Sequence, residues 1–96
     1  MFMLVTYDVS TTTPAGVRRL RQVAKCCCDY GQRVQNSVFE ISAEPATWVE
    51  CRARLLELID PEEDSLRFYR IGKNPSAKIE HRGQRRDFDL SEPLIV

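Results

Sequence analysis

Among the 96 residues, few side chains are placed where they can do chemistry, and the first of them is Asp8. The run Leu4-Val5-Thr6-Tyr7-Asp8-Val9 reads as a short strand buried on both faces, since such strands are nearly continuous apolar stretches. Asp8 therefore stands at a strand's carboxyl end, with Ser10-Thr11-Thr12-Thr13-Pro14 as the loop that follows. A carboxylate there is either a functional group or the opening of a turn, accepting backbone hydrogen bonds from the next residues. The thiols offer less. Cys26, Cys27 and Cys28 are adjacent and Cys51 is distant, a spacing that gives neither a comfortable disulfide nor the CxxC pattern of zinc sites. His81, the one histidine, lies far from Asp8 in a polar stretch and is assigned no role.

Charge adds a second clue. The chain carries 14 basic and 14 acidic residues, so its total predicts no polyanionic partner. The distribution does: residues 1–39 hold five basic against two acidic groups, 40–64 two against eight, 65–86 seven against one, and the tail none against three. Segregation of this kind leaves basic surfaces that a zero total conceals. With no signal peptide and no long apolar run, a cytoplasmic protein with reduced thiols and no membrane contact is expected.

The elements that must position these groups follow in order. Thr13 is a good N-cap and Pro14 a good first helical residue, predicting a helix over 14–30 with Gly31 as a left-handed stop. At 100° per residue Val17, Leu20, Val23, Ala24, Cys27 and Cys28 share the core side; Arg18, Arg19, Gln22, Lys25 and Cys26 share the other. Such a basic face is either simply solvated or a binding surface. Residues 32–36 and 37–42 read as one interrupted strand or as two pieces meeting at a bulge or tight turn at Asn36-Ser37; with a turn they pair antiparallel, Val38 and Glu40 on one face and Phe39 and Ile41 on the other. A second helix runs from Glu44-Pro45 to about Ile59, with Trp48, Val49, Ala53, Leu55, Leu56 and Ile59 inward and Pro61 marking its end. The acidic run Pro61-Glu62-Glu63-Asp64 is a loop, residues 65–71 alternate like a strand, and 72–75 form a turn.

Strand, helix, strand, strand, helix, strand is the ferredoxin-like split βαβ plan (βαββαβ), an α+β fold with two helices on one face of an antiparallel sheet. Ala77-Lys78-Ile79-Glu80 supplies an extra C-terminal strand, and the chain ends on the apolar Leu94-Ile95-Val96. One domain over 1–96 is expected, as a homodimer in which the segment 76–96 packs on the partner protomer's sheet edge; a frayed tail is the alternative.

Tyr7-Asp8-Val9, the basic helix face from Arg18 to Lys25, the run Tyr30-Gly31-Gln32-Arg33-Val34-Gln35-Asn36-Ser37-Val38-Phe39-Glu40, and Arg67-Phe68-Tyr69 together resemble the small CRISPR-associated family called Cas-two. The resemblance extends from Met1 to about Lys78; Thr13-Pro14-Ala15-Gly16 and Gly72-Lys73-Asn74 look like its type I-C branch. It implies a homodimer that acts in spacer acquisition with the CRISPR integrase, either as a metal-dependent endonuclease on RNA or double-stranded DNA or as a non-catalytic DNA bridge. The matched positions are Tyr7 and Asp8 as catalytic residues, Asp8 as metal ligand, and Arg18 or Arg19, Arg33 and Phe39 as nucleic-acid contacts. One departure stands out: the loop after the first strand lacks the further acids that many relatives carry there.

That resemblance defines a chemistry. Phosphodiester hydrolysis needs an activated water and stabilised phosphate charge, and Mg2+ or Mn2+ supplies both while using one or two carboxylates. Paired Asp8 groups across a two-fold axis make two. Activity should rise with pH and with divalent ion. Tyr7 would orient a ligand, Ser10 would donate to a phosphate oxygen, and Arg18, Arg19 and Arg33 would hold flanking phosphates. Phe39 either stacks on a base or packs between sheet and helix.

Overall fold

The computed structural model describes residues 1–72 and 79–84. In chain order the elements are β1 (Phe2–Asp8), α1 (Pro14–Tyr30), β2 (Gln32–Gln35), β3 (Val38–Ser42), α2 (Pro45–Leu58), β4 (Ser65–Ile71) and β5 (Ile79–Gly83). They form one sheet in the order β2-β3-β1-β4-β5. Every pairing is antiparallel. The expected ferredoxin-like arrangement is therefore present, with β1 at its centre and β5 added beside β4.

Strand alternation divides the sheet into two unlike faces. Met3, Val5 and Tyr7 of β1, Phe39 and Ile41 of β3, and Leu66 and Phe68 of β4 meet Val23, Cys26 and Cys27 of α1 and Trp48, Cys51 and Leu55 of α2 in one core. Each large apolar side chain buried there contributes about 1.5–3 kcal/mol. Trp48 meets Phe68 edge to face at 5.0 Å. By alternation the other face carries Phe2, Leu4, Thr6 and Asp8 of β1 beside Ser65, Arg67, Tyr69 and Ile71 of β4.

The start of α1 follows the sequence closely. Thr13 is extended, its Oγ1 accepts from the Gly16 N–H at 3.1 Å, and Pro14 follows. The end differs from expectation. Gly31 has φ −154°, extended rather than left-handed. A side chain is excluded there by proximity: a Cβ would lie 2.1 Å from the Glu40 carbonyl oxygen of β3.

Two inward stripes also differ by one helical position. Cys26 and Cys27 are buried and Cys28 is exposed, because α1 turns its 26–27 edge toward α2 and Cys51. On α2 the buried stripe is Trp48, Cys51 and Leu55, a strict three-and-four spacing, while Val49 and Ala53 face outward. Ile79–Gly83 lies along this chain's own β4. The rest of the segment expected on a partner, residues 76–78 and 85–96, falls outside the described residues, as does most of the 72–75 turn.

Candidate functional site

Asp8 is exposed at the last position of β1, on the sheet face away from both helices. Its cross-strand partner is Ser65, the first residue of β4. Ser65 is buried, and its Oγ has no hydrogen-bond partner. One pair further along the same face, Thr6 stands opposite Arg67, and Arg67 opposite His81. Arg67 Nε donates to His81 Nδ1 at 3.3 Å, so the ring proton belongs on Nε2, which lies 3.2 Å from the Gly83 carbonyl oxygen and donates to it.

The chain beyond Asp8 is held by a residue that sequence reasoning left in a loop. Asp64 is fully buried. Its carboxylate accepts from Ser10 N (3.0 Å), Asp60 N (2.8 Å), Arg19 Nε (2.8 Å) and Arg19 Nη2 (3.2 Å). Burial alone would raise this carboxyl, but the Arg19 guanidinium and the two backbone donors outweigh it and hold Asp64 below the ordinary carboxylate value. The loop, α1 and the start of β4 are thereby tied at one point. Arg19 is engaged in this tie, and of the two candidate helix arginines Arg18 is the exposed one.

Tyr7, next to Asp8, points to the opposite face of the sheet. Its hydroxyl donates to the Asn36 carbonyl at 3.2 Å, and burial raises it to about 12. Its ring stacks on Phe39 at 6.1 Å, and the Arg33 guanidinium covers the Phe39 ring at 5.0 Å. Arg33 Nη1 donates to the same Asn36 carbonyl. Phe39 is fully buried, so the core alternative is the one the geometry presents, and base stacking is not open to its ring. Tyr7, Phe39 and Arg33 thus form one stack at the β2–β3 turn. Asp8 and Ser65 form a separate group across the sheet, with Ser10 on the loop between, its Oγ 3.2 Å from Thr12 Oγ1.

Asp8 is an exposed carboxylate, the kind of oxygen donor that a hydrated divalent ion takes. Among the described residues no three His, Cys, Asp or Glu side chains cluster to form a closed metal cage. Mg2+ needs only one or two carboxylates, with water and phosphate oxygens completing its shell. Neither Asp64 nor Ser65 carries a motif; cross-strand register from Asp8 was the signal that reached Ser65. All four cysteines are free thiols. Among the described residues no helix is long and apolar enough to cross a membrane.

Fold and site define a class: a ferredoxin-like α+β domain with an exposed aspartate at the end of its central strand. The family is given by comparison. Residues 1–79 match the family model of CRISPR associated protein Cas2, and the chain belongs to that family. It is 57% identical over 94 residues to the CRISPR-associated endoribonuclease Cas2 3 of Rhodospirillum rubrum, covering 98% of this chain and 99% of that protein. It is 50% identical over 95 residues to the CRISPR-associated endonuclease Cas2 of Halalkalibacterium halodurans, covering 99% of each. The crystal structure of Streptococcus pyogenes Cas2 at pH 6.5 matches with a TM-score of 0.70 and 64% identity, over 77% of this chain and 89% of that one.

Proposed function

We propose that this chain is a metal-dependent endonuclease of CRISPR adaptation, hydrolysing phosphodiesters of RNA or double-stranded DNA at Asp8 and working with the CRISPR integrase in spacer acquisition. The observation that carries it is the exposure of Asp8 at a strand end, on a face no described helix covers, in a chain whose relatives are named as nucleases. A bound divalent ion would supply an activated water and neutralise phosphate charge. Asp8 would hold that ion, and Arg18 would take a flanking phosphate.

A homodimer supports the same centre. Phe2, Ile71 and Ile79 lie on the Asp8 face and are 37%, 45% and 49% exposed, apolar area that a second copy would bury. That patch lies at the other end of β1 from Asp8, so two Asp8 groups would share one ion where the two-fold axis passes beside the Asp8 end of the same face. A second reading, a non-catalytic DNA bridge, draws on the single carboxylate per chain and on the exposed Arg18, Arg21 and Lys25 of α1. Duplex DNA and RNA are incubated with the purified chain in Mg2+, with and without chelator. Cleavage that chelator stops supports the nuclease. Cleavage indifferent to chelator overturns metal dependence, and binding without any cleavage leaves the bridge.

A further inference from the structure

Among the described residues, the Ser65 hydroxyl is the one buried side-chain polar atom without a hydrogen-bond partner. Leaving such a group unpaired costs about 1–3 kcal/mol. Its surroundings narrow the acceptor it was built for. In the sheet Ser65 lies between Asp8 of β1 and Gly83 of β5. Gly83 offers no side chain and tolerates none: its φ is +93°, and a Cβ there would fall 2.2 Å from the Asp64 carbonyl oxygen. Of its two cross-strand neighbours only Asp8 offers a side chain. Antiparallel partners share a face, with Cβ atoms about 4.5–5.5 Å apart, within reach of a hydroxyl-to-carboxylate bond after side-chain rotation.

We propose that Ser65 is the positioning residue of the Asp8 centre, its Oγ–H donating to one Asp8 carboxylate oxygen and leaving the other for a divalent cation. The inference rests on the reading of Asp8 as the metal ligand. Residues that orient a ligating carboxylate typically alter metal affinity about 10–100-fold when removed. A buried hydroxyl without a partner in the metal-free fold disfavours that fold rather than supporting it, so its loss should separate binding from folding.

Mn2+ is titrated into the full-length chain and into its Ser65→Ala and Asp8→Asn variants by calorimetry, with urea midpoints taken at the same protein concentration. Ser65→Ala is expected to weaken Mn2+ binding about tenfold or more, with its midpoint equal to or above that of the unsubstituted chain. Unchanged Mn2+ affinity in Ser65→Ala, with binding lost in Asp8→Asn, overturns the role of Ser65 and leaves Asp8 as ligand. A lowered urea midpoint in Ser65→Ala also overturns it, because Ser65 then supports the fold. Mn2+ binding that is absent from the unsubstituted chain, or that survives Asp8→Asn, overturns the reading beneath it.

Discussion

Replacing Asp64 with Asn removes a charge while keeping shape, and it strikes the point where three segments meet. The carboxylate accepts four hydrogen bonds, two from Arg19 and one each from the Ser10 and Asp60 backbone, with no exposed surface of its own. An amide has one acceptor oxygen, so its NH2 must face a donor. Losing charge-assisted bonds at about 1.5–3 kcal/mol each, partly recovered by the remaining oxygen, gives a cost of about 3 kcal/mol. For a domain of this size that is a fall in Tm of about 12–24 °C. Urea denaturation at fixed protein concentration measures it as a lowered midpoint with unchanged slope. The sign with pH is also fixed. Asp64 is held below its ordinary value of 3.8, so its contribution is present above that pH and lost as pH falls through the lower folded value. The gap between the two proteins should therefore close in acid below pH 3.8. A loss under about 1 kcal/mol at neutral pH, or a gap that persists in acid, refutes Asp64 as the tie.

Gly83→Ala places a side chain at φ +93° against the Asp64 carbonyl, where the Gln84 N–H also donates; a loss of about 2 kcal/mol or more is expected by urea denaturation. Thiol titration with Ellman's reagent should find one fast group, Cys28, in the folded chain and four after unfolding, because burial raises Cys26, Cys27 and Cys51 while Cys28 is exposed. Two or more fast thiols would contradict the buried α1–α2 seam.

The elements were legible where local signals are strong. Thr13-Pro14 marks the start of α1 because a cap and a fixed φ act within one turn. Phe39 and Ile41 alternate against Val38 and Glu40 because a strand has period two. Tertiary choices were not legible. Three consecutive acids end the loop before β4, and only Asp64 is buried, selected by an arginine 45 residues away. Cys26 rather than Cys28 faces inward because α2 presents Cys51 to that edge of α1. Asp8 itself was legible at its strand end, whereas Ser65 appears beside it only once the register of β1 against β4 is known. Tyr7 and Asp8 are adjacent in sequence yet divided by the sheet, which adjacency alone conceals.

The most direct measurement compares the unsubstituted chain with Asp8→Asn, purified identically, for Mg2+-dependent cleavage of duplex DNA and RNA and for binding of the same substrates. Cleavage is expected to disappear in Asp8→Asn while dimerisation and binding persist, and binding is expected to weaken steeply with salt in both proteins. Equal cleavage by the two proteins would contradict Asp8 as the catalytic centre.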